Sequence, residues 1–402
     1  MKVFKLMTAA IVAFSIASCG EDRTYQYLEY TADCQWIYSV MKEHYLWNDS
    51  IKQPARSKFF SKSSDFYKGL LYKEDKTSYY GDSASATSYG FSFSLMRDPL
   101  GIEPSRYYAL VQYVEPGSPA DRAGITRGTW ISEIGEKGLS ASSSALLTKG
   151  EATTIGTSAI INDGSQELHW TTGETLHIDA AMPLTANAII AEAVHSTDAG
   201  KAGYIAINSF KDNDCTGKIA DILSQMTAEQ PAGIIIDLRY CTTGSIEEAA
   251  ECASLLATPS SYGKTFCTAR RNNSSDTDEY LFASSTQEYD AGRILLLTSS
   301  ATKGVAEIFI AALQQTQEGA TVTVIGEPTS GTPLMTETFA SPYGFSISPV
   351  TAVLYTANGS ILSRYSISVD HCTNELADIT GIYPLGDRRE TLLSKALSII
   401  EQ

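Results

Sequence analysis

The sequence has a deficit of basic residues and lacks an apolar run long enough to cross a membrane. Its 402 residues include 30 Lys and Arg against 46 Asp and Glu, which gives a formal net charge of −16. A nucleic-acid-binding protein needs a clustered basic face, so this charge argues against nucleic acid as a partner. The apolar run Leu6–Ala17 is shorter than the roughly 20 residues that a membrane-spanning helix needs.

Metal sites built on cysteine are lacking as well. The chain contains no CxxC pair and no Cys/His cluster with the spacing of a zinc site. We therefore predict no structural metal, and we expect no cofactor. Six cysteines follow Cys19 at irregular spacings that leave their pairing open: Cys34, Cys215, Cys241, Cys252, Cys267 and Cys372.

The chain begins with a predicted targeting segment, residues 1–18. Two lysines precede the apolar core, and the segment ends in Ile16-Ala17-Ser18-Cys19. This ending resembles a bacterial lipoprotein cleavage site, which implies a secreted chain lipidated at Cys19 and attached to the outer membrane, on its periplasmic or its outer face. Gly20-Glu21-Asp22 resembles the acidic tag of some surface lipoproteins of Bacteroidetes. The alternative is an ordinary secretory signal with an incidental cysteine.

Residues 19–82 are predicted to form a small helical domain rich in aromatic side chains. A second helical stretch over 59–72 follows the first, with Asp65 as a plausible cap. An aromatic stripe could bind a glycan, but helical spacing favours inward packing of the rings. The residues that recur at steps of three and four, and so form one face of the first helix, are Tyr30, Cys34, Ile37, Met41 and Tyr45.

Residues 88–182 have the pattern of strands separated by glycine turns. The order of three segments, 90–93, 116–125 and 128–131, resembles that of a PDZ domain. This resemblance implies that backbone N–H groups of the glycine loop bind a C-terminal carboxylate and that the neighbouring strand edge pairs with the peptide. Thr129 stands where the family usually has aspartate, and a purely structural packing role is the alternative. The peptide-binding residues that the resemblance implies are Gly90, Phe91, Ser92 and Phe93.

Residues 186–402 alternate between apolar strand patterns and helical patterns. Strands are predicted over 203–207, 232–238, 294–297 and 322–325, with helices over 215–226, 246–256, 305–314 and 391–401. The alternating stretch Tyr343–Tyr355 predicts a β-hairpin. The predicted fold class is α/β multidomain, with an N-terminal helical domain, a PDZ-like β-rich domain and a layered α/β domain.

The motifs of this last region resemble those of the tail-specific, or C-terminal processing, serine peptidases. The resemblance extends over nearly the whole mature chain because the motifs occur in the family's order downstream of the PDZ-like segment. It implies a serine-type peptidase fold. The motifs are Gly203-Tyr204-Ile205, Ser209-Phe210, Ile234 to Arg239, Glu307 after a strand and turn, Gly326-Glu327-Pro328-Thr329 and Gly381-Ile382-Tyr383-Pro384.

The residues that the family uses for catalysis do not match in this sequence. By resemblance, Gly304 occupies the nucleophile position and Thr332 the position of the lysine base. Glycine has no hydroxyl to attack with, and threonine cannot accept a proton as a desolvated lysine does. In the glycine-rich oxyanion segment after Arg239, Gly244 alone keeps the family's glycine character. We therefore expect a non-catalytic homologue that binds extended polypeptide or a partner protein at the cell envelope.

Two other functions stay open at this point. An active serine hydrolase could use displaced residues, with Ser299 or Ser300 as nucleophile and Lys303 as base, because Ser300 to Lys303 forms a Ser-x-x-Lys pattern. A remote base such as His371 is a variant of the same idea. The other function is glycan or nutrient binding at the cell surface, which rests on the predicted lipidation and the aromatic N-terminal region.

Overall fold

The computed structural model describes residues 24–82, 87–162, 164, 167–184, 187–211, 214–227, 231–272, 277–284, 289, 291–316, 322–361 and 366–402. The targeting segment, Cys19 and the acidic residues behind it lie outside these ranges. The described residues confirm the predicted mixed α/β multidomain class with a helical N-terminal region. No helix among them is long and apolar enough to cross a membrane.

The N-terminal region is helical except for its last element, a strand that pairs with a strand of the C-terminal region. That strand, β1 (Tyr79–Asp82), is antiparallel to β21 (Phe345–Ser348). Edge-to-face packing of Trp36 on Phe345, with ring centroids 5.6 Å apart, also joins the two parts. The elements are α1 (Thr24–His44), 3₁₀ helices over Asn48–Ser50 and Arg56–Phe60, α2 (Ser63–Leu70) and β1 (Tyr79–Asp82), and β21 spans Phe345–Ser348.

The predicted buried face of α1 is confirmed with one exception. Four of the five residues are fully buried, whereas Tyr30 is 72% exposed. At this end of α1 the buried side is a different one, because Thr31 is fully buried and Phe60 packs on Tyr27, which leaves Tyr30 exposed. Asp65 as a helix cap is wrong, because α2 begins at Ser63 and Asp65 lies within its first turn.

The middle region is an antiparallel sheet with strand order β3-β4-β5-β7-β8. β3 lies at one edge of this sheet and pairs with β4 alone among the described strands. The hydrophobic core of the middle region contains Val111, Ile131 and Ile155. The elements are β2 (Thr87–Ser88), β3 (Phe91–Arg97), β4 (Tyr107–Val114), α3 (Pro119–Arg122), β5 (Trp130–Ile134), β6 (Lys137–Gly138), α4 (Ser144–Thr148), β7 (Thr153–Ile161), β8 (His169–Ile178) and β9 (Met182–Pro183).

The C-terminal region contains every strand and helix predicted between 203 and 325. Its elements are β10 (Ile189–Thr197), β11 (Gly200–Ile207), β12 (Ser209–Phe210), α5 (Asp214–Thr227), β13 (Pro231–Asp237), β14 (Thr243–Gly244), α6 (Ile246–Leu256), a 3₁₀ helix (Pro259–Ser261), β15 (Thr265–Arg271), β16 (Thr277–Leu281), β17 (Arg293–Thr298), α7 (Val305–Thr316), β18 (Val322–Gly326), β19 (Leu334–Thr336), β20 (Phe339–Ala340), β21, β22 (Val350–Thr356), β23 (His371–Cys372) and α8 (Thr391–Ile400).

A six-stranded sheet forms the centre of this region, in the order β10-β11-β13-β17-β18-β23. All pairs from β11 onward are parallel. Successive strand residues point to opposite faces, so Ile234 and Ile236 pack in the core that contains residues of α5, α6 and α7, while Ile235 packs against α8. Branched residues buried on both faces explain the continuous apolar runs in the sequence.

The predicted β-hairpin over Tyr343–Tyr355 is wrong. Both strands exist, as β21 and β22, but they belong to different sheets. β21 pairs with β1 and β20, whereas β22 pairs with β15 and β19. Alternation along the chain shows that two strands are present, but it does not specify their partners, and here the partners come from distant segments.

Candidate active site

A buried parallel strand runs through a short polar turn into a helix. β17 is central in the sheet because Ile294–Leu297 is apolar on both faces, and α7 begins seven residues after the strand ends. In parallel sheets the carboxyl ends of strands are the usual place for a binding site. The turn therefore lies where a site is expected.

The hydroxyl groups of the turn satisfy backbone groups. Ser299 Oγ donates a hydrogen bond to the carbonyl of Arg239 (2.6 Å) and accepts one from the N–H of Ala301. Thr302 Oγ1 donates to the carbonyl of Leu238 (2.9 Å) and accepts from the N–H of Ser299. Both side chains are buried. These hydroxyls fasten the turn to the end of β13 and are not free for chemistry.

Gly304 is the last residue before α7 and adopts a left-handed conformation, with φ of +64°. A Cβ built on it would meet the carbonyl oxygen of Leu334 at 3.5 Å, an ordinary contact distance. A serine at this position would thus have room, although the positive φ costs about 1 kcal/mol for an L-residue. The predicted nucleophile position is structurally intact but carries no side chain.

Glu307 holds the two predicted reactive positions close together. Its side chain is fully buried, and one oxygen, Oε2, accepts hydrogen bonds from the N–H of Gly304 (3.1 Å) and of Thr332 (2.9 Å). The other oxygen accepts from Thr329 Oγ1 (2.5 Å) and from the N–H of Gly331 (2.6 Å). Four donors compensate for the burial of this carboxylate, as a buried charge requires.

A small cavity of about 30 Å³ lies beside these residues. It brings together Gly304, Thr332, Gly244 and Lys303, all of which were singled out in the sequence, and Ser299 and Ser300 are not among its lining residues. Its volume is enough for a water molecule or two. Its lining is Thr77, Thr242, Thr243, Gly244, Lys303, Gly304, Val305, Thr332, Leu334, Met335 and Thr336.

The displaced serine–lysine pair is not assembled. Ser300 is exposed, and Ser299 already donates its hydroxyl proton to a backbone carbonyl. Among the described residues, Lys303 Nζ makes no hydrogen bond or ion pair to either serine. His371 lies in β23, paired with Ile325, and does not line the cavity.

The oxyanion segment is held in place by its neighbours. β14 pairs in parallel with β12, and the carbonyl of Cys241 accepts a hydrogen bond from the N–H of Lys303. Gly244 has φ of +141°, and a Cβ there would lie 2.6 Å from backbone atoms of Phe210, so this glycine is required by close packing. Burial raises the pKa of the Cys241 thiol, which favours its neutral form over the thiolate.

A buried charge cluster, which the sequence did not reveal, lies next to the turn. Arg239 is fully buried and pairs with Asp237 (2.6 Å), Glu375 (3.2 Å) and Glu390 (2.7 Å). Arg127, from the middle region, reaches the same Glu375 (3.1 Å) and Glu390 (3.4 Å). Each charge has an opposite partner, so the cluster fixes the middle region against the sheet that carries the site.

The residues predicted to bind peptide lie at the start of β3. Gly90 has φ of +87°, and a Cβ there would collide with Ser118, so the tight approach requires glycine. Phe91 is buried, whereas Ser92 and Phe93 are half-buried on the edge strand. Peptide binding by these residues stays a prediction.

Among the described residues, no group of three or more His, Cys, Asp or Glu is placed to hold a metal ion.

Comparison with protein families gives two matches along this chain. Residues 201–371 match the family described as peptidase family S41, and residues 34–93 match the peptidase S41 N-terminal domain. The two segments together span more than half of the chain. A search of curated proteins found no significant match.

Solved structures with the same fold include several proteases. A protein of Bacteroides fragilis NCTC 9343 described as an S41 protease is 24% identical, with a TM-score of 0.74, covering 91% of this chain and 96% of its own. The photosystem II D1 C-terminal processing protease is 15% identical, with a TM-score of 0.56, covering 93% and 97%. Mature CPAF is 11% identical, with a TM-score of 0.53, covering 94% and 97%. At these identities the likeness establishes the fold.

Proposed function

This chain belongs to peptidase family S41, and we propose that it is a non-catalytic member that binds extended polypeptide, or a partner protein, at the cell envelope. The observation that carries the proposal is the state of the two reactive positions. Glu307 fixes the segments of Gly304 and Thr332 around one cavity, yet neither position offers a nucleophile or a base. The backbone arrangement of the site is present, but the side chains that would act as nucleophile and base are not.

The chemical requirement of a serine peptidase supports the loss of activity. A hydroxyl attacks a peptide carbonyl only when a neighbouring base removes its proton. Ser299 and Thr302 donate their protons to backbone carbonyls, which cannot act as bases. Ser300 is exposed and lies outside the cavity lining. No hydroxyl of this turn therefore combines access with a base.

Binding of an extended chain is supported by the free edge of the middle sheet. β3 has a strand partner on one side only among the described strands, so its other side can pair with a peptide by strand addition. In the turn before β3, the N–H of Tyr89 already donates to the carbonyl of Thr148 and the N–H of Gly90 to Ser88 Oγ. The backbone donors for a terminal carboxylate would therefore come from the start of β3, residues 91–93. On this proposal the middle region is a PDZ-like domain and the main ligand site.

The proposed location follows from the N-terminal sequence. We propose that Cys19 is lipidated and that the chain is attached to the outer membrane. Intact-mass measurement of the N-terminal peptide from membrane fractions tests this point. An unmodified Cys19, or a cleavage site elsewhere, would refute the lipid anchor without affecting the peptide-binding proposal.

One observation favours an alternative, an active hydrolase. Lys303 lines the cavity next to Gly304, and its Nζ has no ion-pair partner among the described residues, so it is an available base beside the vacant nucleophile position. The alternative needs Ser300 to turn into the cavity. Glycan binding by the N-terminal aromatics has weaker support, because most of these rings pack in the core of that region.

Restoring the missing groups tests the assignment of the reactive positions. The mature chain is incubated with an unstructured protein, and cleavage is followed by mass spectrometry. We expect no cleavage by the wild type and measurable cleavage by Gly304→Ser combined with Thr332→Lys. Gly304→Ala with Thr332→Lys is the matched control, because it carries the same backbone strain and the same lysine without the hydroxyl. Cleavage by the wild type that disappears in Ser300→Ala would refute the proposal.

Peptide binding has its own test. A library of extended peptides is presented with free carboxylates and, as a matched set, with amidated C-termini. We expect the free carboxylate to bind more tightly, and we expect Gly90→Val to abolish the difference because its side chain would collide with Ser118. Equal affinity for both sets would refute recognition of a C-terminal carboxylate.

A further inference from the structure

A stretch of the N-terminal region carries a charge opposite to that of the protein. Residues 51–76 contain seven basic and three acidic residues, a local net charge of +4 within a chain of −16. One of the acids, Asp75, is buried and accepts a hydrogen bond from Tyr45. All seven basic residues are exposed: Lys52, Arg56, Lys58, Lys62, Lys68, Lys73 and Lys76.

Two exposed aromatic rings occur in the same region, Phe60 within the basic stretch and Tyr30 on α1 three residues after Tyr27. Tyr30 is 72% exposed and Phe60 is 57% exposed. Phe60 packs edge-to-face on Tyr27, with ring centroids 5.6 Å apart, and the guanidinium of Arg56 lies 5.3 Å from the centre of the Tyr27 ring. Apolar side chains exposed next to one another mark an interaction surface more often than single ones do. We call the surface formed by Tyr27, Tyr30, Arg56, Lys58 and Phe60 the basic aromatic face.

The positive charge continues around a large cavity beside this face. The cavity has a volume of about 710 Å³ and is lined by three of the lysines, Lys52, Lys58 and Lys73, and by one acidic residue, Asp65. Apolar side chains, among them Phe66 and Leu70, form other parts of its wall. Lys58 lies between Arg56 and Phe60 in one 3₁₀ helix and also lines the cavity, so the face and the cavity adjoin at this helix.

The position of this surface in the chain suggests what covers it. The predicted lipidation site, Cys19, precedes the start of α1 at Thr24 by five residues. Five residues span at most about 18 Å even when fully extended. Tyr30 lies six residues into α1, about 9 Å along the helix axis. A lipid on Cys19 would thus hold the basic aromatic face within reach of the bilayer surface.

We propose that the basic aromatic face binds the surface of an anionic phospholipid bilayer. Aromatic rings such as those of Tyr30 and Phe60 are favoured at the membrane–water interface, and each lysine or arginine near an anionic surface strengthens binding about fivefold. The acidic remainder of the chain is repelled by the same surface. The membrane contact therefore orients the protein with its middle and C-terminal regions facing away from the lipid.

Vesicle sedimentation tests this proposal independently of peptide binding and of lipidation. The mature chain with Cys19→Ser is mixed at low salt with vesicles of phosphatidylethanolamine and phosphatidylglycerol, or of phosphatidylcholine alone. We expect binding to the anionic vesicles only, weakening as salt is added. Replacing Lys52, Lys58 and Lys73 by glutamine should weaken it about a hundredfold.

A matched control separates a local surface from overall charge. Lys137→Gln, Lys149→Gln and Lys264→Gln remove the same three charges from exposed positions elsewhere and should leave binding unchanged. Equal losses in both triple variants, or no binding to anionic vesicles by the parent chain, would overturn the proposal. Equally tight binding to a soluble polyanion such as heparin would also overturn it, in favour of a polyanion site.

The aromatic contribution has a separate variant. Tyr30→Ser with Phe60→Ser should weaken vesicle binding about tenfold and leave heparin binding unchanged. Leu146→Ser with Leu281→Ser removes two other exposed apolar side chains and should have no effect on vesicle binding. If both double variants bind vesicles like the parent chain, the rings are not part of the membrane contact and the proposal in this form fails.

Discussion

Replacing Glu307 by glutamine should destabilise the protein strongly, although the side chain keeps its size. The buried carboxylate accepts four hydrogen bonds, two on each oxygen. An amide can place its oxygen toward one pair of donors and must then point its own N–H₂ group at the other pair. If the N–H₂ group faces Thr329 and Gly331, the Thr329 hydroxyl can turn to accept from it, but the N–H of Gly331 loses its acceptor. In the other orientation the N–H groups of Gly304 and Thr332 both lose theirs. At least one backbone donor is left unsatisfied and the remaining hydrogen bonds lose their charge assistance, so we expect a loss of about 2–4 kcal/mol in the free energy of unfolding.

Urea unfolding of the mature chain measures this loss, with Glu247→Gln as the control. Glu247 lies exposed in the first turn of α6, and its replacement should change the free energy of unfolding by less than about 0.5 kcal/mol. Hydrogen exchange at the amides of Gly331 and Thr332 should accelerate in Glu307→Gln. A loss below about 1 kcal/mol, with unchanged exchange at these amides, would refute the role given to Glu307.

The buried charge cluster leads to two further predictions. Arg127→Met should lower the free energy of unfolding by about 3–5 kcal/mol, measured by urea titration, because the carboxylates of Glu375 and Glu390 both lose a partner. Arg122→Met is the control: it removes an exposed ion pair and should cost less than about 1 kcal/mol. Burial alone would raise the pKa of Asp237, but the charge of Arg239 holds this pKa below its usual value. The ionised Asp237 therefore stabilises the folded protein above about pH 4, and this stabilisation is lost as the pH falls through the folded-state pKa of Asp237. Asp237→Asn should flatten the dependence of stability on pH below about pH 4, and equal slopes for both proteins would contradict this.

The central sheet and the location of the site were predictable from the sequence. Branched apolar runs such as Ile294–Leu297 can be buried only in a two-sided parallel sheet, and the polar turn after this run marks the carboxyl edge of the sheet. The motif spacing placed Gly304 and Thr332 at related positions, and the structure brings both to one cavity. Local pattern and motif order were sufficient for this part.

The remaining features depend on contacts between distant segments. The carboxylate of Glu307 binds a loop some 25 residues further along, and Arg127 reaches Glu390 across 263 positions. No periodicity encodes such pairs. The exposure of Tyr30 was missed for a related reason, because the distant segment that carries Phe60 covers the side of α1 with Tyr27 and Thr31 there and not the side that the helical spacing predicts.

The absence of catalysis is tested most directly by an active-serine probe. The purified mature chain is incubated with a fluorophosphonate, and the intact protein is weighed by mass spectrometry. We predict no adduct, because Gly304 has no hydroxyl and the hydroxyl of Ser299 is bonded to a backbone carbonyl. A stoichiometric adduct that maps to Ser300 and disappears in Ser300→Ala would contradict the account.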